Sequence, residues 1–130
     1  ISYHPVIYSD IFNEINFGIY EGQSRNWDDM FFVYHKKISE LHEISNGDNP
    51  KKRAMKLAEE LSKLSTSYLG KDIVVFSHKT LIECLHCLII NKSVDNRELF
   101  EQEIRPCSIS HLIYDISKHT LDTKQILQYV

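Results

Sequence analysis

The sequence has little of what marks a cross-linked, membrane-spanning or nucleic-acid-binding protein. Its 130 residues include only three cysteines, an odd and sparse set that excludes a disulfide framework and favours a reducing, cytoplasmic setting. No apolar run approaches the length of a bilayer span. The formal net charge of -3 provides no field that would attract nucleic acid or acidic lipid. We therefore expect neither a membrane nor a nucleic acid as a partner.

What is present is typical of a small globular domain. Hydrophobic residues make up 42% of the chain and charged residues 25%, which is enough to bury one core. Residues 1–130 are therefore predicted to form a single domain, or part of a larger one.

The hydrophobic pattern predicts alternating helices and strands. Apolar residues recur at helical spacing in three stretches: 27–44, 50–68 and 80–90. A continuous apolar run at residues 73–76 is typical of a strand buried on both faces, and two later strands are predicted at 109–116 and 125–130. A helix, a buried strand and a second helix in succession favour an α/β fold with crossover connections.

His78 is the first candidate for chemistry. It follows the predicted buried strand and precedes a helix, and ligands of open α/β sheets bind at that edge. The N–H groups that begin the helix favour an anion. A histidine there can donate hydrogen bonds to a phosphoryl oxygen and offset charge in a transition state. The alternative is a structural histidine bonded to the backbone.

Glu14 is the second candidate. It precedes a loop that holds two of only four glycines, Gly18 and Gly22. Aromatic Phe17 and Tyr20 in this loop could shield one side of the carboxyl group from water, which favours the protonated form that a general acid needs. Two alternatives stay open: Glu14 is an ordinary solvated side chain, or the neighbouring Glu21 takes the acid role.

Two further clusters have simpler interpretations. Cys84, His86 and Cys87 are close in sequence, but on a helix the cysteines share a face while His86 points elsewhere, and no second cluster completes four ligands. We expect small buried side chains there and no metal. The basic run 51–53 stands at a helix start, where the dipole disfavours cations, and we expect a solvated face.

Four stretches of the chain resemble one known family. Residues 12–22 (Phe-Asn-Glu-Ile-Asn-Phe-Gly-Ile-Tyr-Glu-Gly) are similar to the Leu-x-Glu-x-x-Phe-Gly-x-Trp-Glu-Gly stretch of the histidine phosphatases, a phosphoglycerate-mutase-like superfamily. Residues 74–78 look like their strand that ends in Ser-His. Residues 46–64 resemble their Gly-Glu-Ser loop and the following helix, whose arginine matches Arg53. Residues 108–115 are similar to their late strand.

The resemblance implies a fold and a reaction. The fold would be a three-layer α/β sandwich with a mostly parallel sheet, and the reaction a phosphoryl transfer through a phosphohistidine, without a cofactor. Glu14 would donate a proton to the leaving oxygen, and His78 would bond the transferring phosphoryl group of a small phosphorylated substrate. Substrate contacts are expected from four further residues: Gly22, Ser24, Lys79 and Ser108. The oligomeric state stays open, with a homodimer as one possibility.

The chain also departs from the family pattern. The family's nucleophile lies in an Arg-His-Gly motif at the end of the first strand, and residues 1–130 contain no such motif. We expect that strand and motif upstream of Ile1 in a longer parent protein, and no turnover by the 130 residues alone. Without the first strand, apolar surface is left for the upstream segment or another chain to cover.

Three alternatives to a phosphatase remain. Phe17 lacks the hydroxyl of the tyrosine that mutases usually carry there, which favours a phosphomonoester hydrolase over a phosphoglycerate mutase. A catalytically inactive relative that serves as a binding or dimerisation module is the second alternative. An unrelated small α/β domain is the third.

Overall fold

The computed structural model describes residues 5–22, 46–95 and 104–127. Two helices, α1 (Pro50–Ser67) and α2 (Lys79–Asn91), precede two strands, β1 (Ile109–Asp115) and β2 (Thr120–Leu127). Single 3₁₀ turns lie before them, at Asp10–Phe12 and Gly18–Tyr20. This combination of helices and strands agrees with the predicted α/β class. The helix predicted over 27–44 lies outside the described residues.

Helix α1 begins where the sequence predicts a helix. The side chain of Asn49 accepts a hydrogen bond from the Lys52 N–H at 3.1 Å, and Pro50 occupies the first turn, where its missing N–H costs nothing. Ala54 and Leu57 are buried on the predicted apolar stripe. Beyond the helix end, Gly70 has a φ of +73, a left-handed conformation that suits glycine.

Helix α2 supplies more of the buried hydrophobic residues than any other described element and packs against both α1 and β2. Its buried face includes Leu81, Cys84, Leu85 and Cys87, and both cysteines are fully buried. The prediction of small buried cysteines is therefore confirmed. In the described parts of the chain, no helix has the length and apolar character needed to cross a bilayer.

Strands β1 and β2 form an antiparallel hairpin whose register runs from Ile109 opposite Leu127 to Asp115 opposite Thr120. Along β1 every second residue is less exposed, as the period of two requires, and the other face leaves Ile109 53% and Ile113 45% exposed. The register shifts between His111 and Leu112, as at a β-bulge. The prediction for 109–116 is confirmed. The prediction for 125–130 was wrong at its start, because the turn is short and β2 already begins at Thr120.

The buried strand predicted at residues 73–76 is not found. Residues 71–78 have no regular secondary structure, and Val74 is 78% and Phe76 88% exposed. A run of apolar residues forms a buried strand only where neighbouring strands supply hydrogen-bond partners, and the sheet in the described residues consists of β1 and β2 alone. The three-layer sandwich with a mostly parallel sheet therefore stays a prediction.

Candidate active site

The carboxylate of Glu14 lies at the first turn of α2. Its Oε2 accepts a hydrogen bond from the N–H of Thr80 at 3.0 Å, and its Oε1 accepts one from the N–H of Leu81 at 3.0 Å. A third bond comes from the N–H of Ile15, also at 3.0 Å. The first N–H groups of a helix have no partner within the helix, and negative charge is stabilised beside them. Glu14 is therefore the capping group of α2, supplied by a distant part of the chain.

His78 is the residue at which α2 begins. Its backbone is extended, with φ -123 and ψ 158, and its carbonyl oxygen accepts a hydrogen bond from the Ile82 N–H at 3.0 Å. Its side chain makes no capping bond to the helix, and the residue is exposed. Because Glu14 caps the helix instead, the imidazole of His78 stays at the surface beside the capped end. Two residues far apart in the sequence thus meet at one helix terminus.

Ser77 adds a second connection between the two segments. Its hydroxyl donates a hydrogen bond to the carbonyl oxygen of Phe12 at 2.8 Å. The segment that carries Glu14 is thereby bonded to the chain on both sides of His78, through Ser77 before it and through Thr80 after it. These contacts fix the separation of the two segments that carry Glu14 and His78.

The opposite side of the Glu14 segment is held by α1 and the residues before it. Asp48 accepts a hydrogen bond from the Asn16 N–H at 2.8 Å and donates its own N–H to the Asn16 carbonyl at 2.8 Å. Arg53 forms an ion pair with Asp48 and donates to the carbonyl oxygens of Asn13 at 2.5 Å and Glu14 at 3.5 Å. The prediction that Arg53 belongs to a solvated basic face was wrong, because these acceptors draw its guanidinium inward.

Gly47 allows this close packing of backbone on backbone. A Cβ atom at this position would lie 2.3 Å from the carbonyl oxygen of Asn16 and 2.7 Å from the nitrogen of Gly18. Any larger residue would therefore displace the loop that carries Glu14.

Glu21, the competitor for the acid role, is not at the helix terminus. Its Oε1 accepts a hydrogen bond from the Phe17 N–H at 2.7 Å within its own turn, and the residue is exposed. Of the two glutamates, only Glu14 has a hydrogen bond to α2 in the described part of the chain. The structure therefore favours Glu14 as the carboxylate that accompanies His78.

The predicted substrate-binding residues lie in different places. Lys79 is the first residue of α2, directly after His78. Gly22 has a φ of +74 and lies just beyond the 3₁₀ turn Gly18–Tyr20. Ser108 lies just before β1 and donates its N–H to the carbonyl oxygen of Arg105 at 3.2 Å. Within the described ranges, no hydrogen bond joins Gly22 or Ser108 to the Glu14 carboxylate. Ser24 lies outside the described residues, so these contacts stay predictions.

Two buried polar residues of α2, Glu83 and His86, were not predicted from the sequence. The expectation that His86 points away from the buried cysteines was wrong, because it is as fully buried as they are. Glu83 accepts a hydrogen bond from the Ile104 N–H at 2.7 Å. The imidazole of His86 bonds the hydroxyl groups of Thr123 and Ser110, each at 2.8 Å, and burial lowers its pKa. A polar residue on an apolar helical face is the signal that could have identified both.

The cysteine nearest to the site is not a nucleophile. Burial, followed by the charges of Cys87 and two glutamates, raises the pKa of the Cys84 thiol. The thiol therefore keeps its proton, whereas the thiolate is the reactive form. The groups available for chemistry at the start of α2 are the imidazole of His78 and the carboxyl group of Glu14.

Comparison with known proteins identifies a family. The family model described as histidine phosphatase superfamily (branch 1) matches residues 2–126, which include every segment that contributes to the site. No curated protein and no solved structure gives a significant match to the chain.

Proposed function

This chain belongs to branch 1 of the histidine phosphatase superfamily, and on that premise we propose that its parent protein hydrolyses phosphomonoesters through a phosphohistidine. Membership of the superfamily indicates phosphatase or mutase chemistry. The observation that carries the narrower proposal is the meeting of the Glu14 carboxylate and His78 at the start of α2. Phe17, in place of the tyrosine usual in mutases, favours hydrolysis over phosphoglycerate mutase activity.

His78 would bind the transferring phosphoryl group. Its imidazole is exposed at the N-terminal end of a helix, where the helix dipole favours an anion. An N–H donor at this position offsets negative charge on the equatorial oxygens as the phosphoryl group passes between leaving group and nucleophile. The adjacent Lys79 would add a positive charge for the phosphate. Gly22, Ser24 and Ser108 would contact the remainder of a small phosphorylated substrate.

Glu14 would take up a proton from the bound phosphate monoanion or from water and deliver it to the leaving oxygen. As the proton leaves, the carboxylate acquires a full negative charge, and the N–H groups of Thr80 and Leu81 already point at its two oxygens. Hydrogen bonds to the charged form therefore stabilise the product of proton transfer. Because these donors belong to a helix backbone, they are in position before the reaction begins.

The nucleophile is proposed to lie upstream of Ile1, in the Arg-His-Gly motif of the family. Its strand would pair with residues 73–76 and complete a three-layer sandwich with a mostly parallel sheet. The exposed side chains of Val74 and Phe76 support this proposal, because such apolar residues are typical of a covered strand. The 130 residues by themselves would then have no turnover.

A leaving-group comparison tests the role of Glu14. In the parent protein, Glu14→Gln should lower kcat/KM for phenyl phosphate by about 10²- to 10⁴-fold, the usual contribution of general acid catalysis. For p-nitrophenyl phosphate kcat/KM should fall much less, because p-nitrophenolate leaves without protonation. Glu21→Gln is the matched control and should leave kcat/KM unchanged for both substrates. Equal losses for both substrates in Glu14→Gln would show that Glu14 is not the acid.

An inactive binding or dimerisation module is the second candidate. The exposed apolar residues Val6, Ile7 and Tyr8, together with Val74 and Phe76, favour it, because a second chain could cover them. The residues encoded upstream of Ile1 discriminate between the candidates. An Arg-His-Gly motif after a β-prone run supports the hydrolase, and an open reading frame that starts near Ile1 supports the module.

A further inference from the structure

Glu83 is an acidic residue on the buried part of α2. It is 5% exposed, and the same helix buries the apolar side chains of Leu81, Cys84 and Cys87. Moving a carboxylate out of water is unfavourable unless the charge is paired and hydrogen-bonded. An apolar side chain of the same size would pack at this position without that penalty. The carboxylate is therefore better explained by its partners than by packing.

Both described partners of Glu83 lead to the candidate active site. Its Oε1 accepts a hydrogen bond from the Ile104 N–H at 2.7 Å and lies 3.9 Å from the Nζ of Lys79. Lys79 directly follows His78, and Ile104 belongs to the loop segment 104–108, which leads through a turn to Ser108 and β1. One carboxylate oxygen thus connects the first turn of α2 with the 104–108 loop.

We propose that Glu83 is a positioning residue, which holds Lys79 and the 104–108 loop in the arrangement that receives the phosphorylated substrate. The inference rests on the proposed function and deepens it. Ile104 is 2% exposed, so its hydrogen bond to Glu83 anchors the loop from inside the protein. The ion pair restrains the ammonium group of Lys79, whose side chain remains 42% exposed and accessible to a ligand.

The expected effect of losing this residue is on substrate binding and much less on the chemical step. Lys79 and Ser108 would contact the phosphorylated ligand in the ground state and in the transition state alike. Interactions of equal strength in both states determine KM, whereas kcat depends on interactions that are made only in the transition state. The N–H groups of Thr80 and Leu81 hold the Glu14 carboxylate, and both belong to the helix backbone, so Glu14 should keep its place when the Glu83 side chain changes.

Two substitutions separate the roles of the hydrogen bond and the charge. Glu83→Leu removes both, while Glu83→Gln keeps an oxygen that can accept the Ile104 N–H and removes only the charge. The matched control is Glu59→Gln on α1, whose partner Lys63 is also four residues further along, at 3.1 Å, but exposed to water. All three are made in the parent protein. The measurements are kcat and KM for p-nitrophenyl phosphate, the dissociation constant of inorganic phosphate, and the melting temperature.

We expect Glu83→Leu to raise both KM and the phosphate dissociation constant about tenfold, with kcat changed by less than about threefold. The melting temperature of Glu83→Leu should fall, because the buried Ile104 N–H loses its acceptor. Binding is therefore compared at a temperature at which this variant is folded. Glu83→Gln keeps the acceptor and should raise KM by a smaller factor, about threefold, and Glu59→Gln should match the wild type. A rise in KM and in the phosphate dissociation constant at nearly unchanged kcat is the result that a purely structural residue would not give.

The outcomes distinguish this inference from the proposed function. If the wild type hydrolyses the ester and both Glu83 variants keep its KM and phosphate affinity, the inference is wrong and the function stands. A parallel loss of kcat and thermal stability at unchanged KM also overturns it. If the wild type binds phosphate and Glu83→Leu weakens that binding, but no ester is hydrolysed, the inference stands and the proposed function is wrong. If Glu83→Leu does not fold, the test is the KM of Glu83→Gln: a raised KM supports the inference, and an unchanged KM overturns it.

Discussion

Replacing Glu14 by glutamine should destabilise the folded protein as well as slow its chemistry. The carboxylate accepts three backbone N–H groups: those of Ile15 and Leu81 at Oε1, and that of Thr80 at Oε2. A glutamine amide has a single acceptor oxygen, so it can serve only one of these two sides. Its NH₂ group would face an N–H donor on the other side. One first-turn N–H group of α2 would then lose its partner.

The size of the destabilisation follows from the kind of hydrogen bond that is lost. A hydrogen bond to a charged group contributes about 1.5–3 kcal/mol, and removal of the charge from a helix N-terminus costs ~0.3–1 kcal/mol more. Glu14 is partly buried, so water can replace some of the lost bonding. We therefore expect the free energy of unfolding to fall by about 2 kcal/mol. At ~2–4 °C per kcal/mol, a general value for domains of roughly 150–250 residues, this lowers the melting temperature by ~4–8 °C.

Thermal and urea unfolding of the parent protein would measure the effect, with Glu21→Gln as the control. Glu21 accepts a single N–H bond in an exposed turn, which a glutamine oxygen can also accept, so its variant should stay within about 0.5 kcal/mol of the wild type. Equal stability of the Glu14→Gln variant and the wild type would show that the carboxylate does not cap α2. The same measurement shows how much of any activity loss in Glu14→Gln is due to unfolding.

Three other perturbations test separate parts of the structure. Burial lowers the pKa of His86 in the folded protein below its ordinary value of 6.5. As the pH falls, the imidazole is therefore protonated more readily in the unfolded chain than in the folded protein, and the free energy of unfolding should decrease below about pH 6.5. His86→Gln should flatten this pH dependence, and His111→Gln on the exposed side of β1 should not. Gly47→Ala should lower the free energy of unfolding by about 3 kcal/mol or more, because the new methyl group meets a backbone oxygen. Gly70→Ala places its methyl group in open space, so it should cost only the ~1–2 kcal/mol of the left-handed φ. Iodoacetamide should modify exposed Cys107 in the native protein, and the two buried cysteines only in urea, as peptide mass mapping would show.

Local signals were sufficient to predict the helices. Asn49 and Pro50 mark the start of α1 through their own chemistry, and the apolar spacing of α2 matches its buried face. Both helices begin within one residue of the predicted position. The hairpin was predicted less well at β2, because the start of a strand depends on its register with the partner strand.

The candidate site was predicted only in part, because it is assembled by long-range contacts. No local pattern shows that Glu14 reaches the N–H groups of Thr80, and only the family resemblance paired it with His78. Arg53 looked like a member of a charged helical surface, and Glu83 was not singled out. Their acceptor and donor groups lie in distant loops. For residues 73–76, the apolar composition indicated a buried strand. A buried strand needs neighbouring strands as hydrogen-bond partners, and the sequence of these four residues cannot show whether such partners are present.

Hydrolysis of p-nitrophenyl phosphate by the parent protein and its His78→Ala variant tests the central claim most directly. The wild type should hydrolyse the ester, and His78→Ala should lower kcat/KM by about 10²- to 10³-fold or more, because the transferring phosphoryl group loses a positioned donor. His111→Ala, another exposed histidine, should match the wild type. Unchanged turnover in His78→Ala, at an unchanged melting temperature, would contradict the assignment of the site.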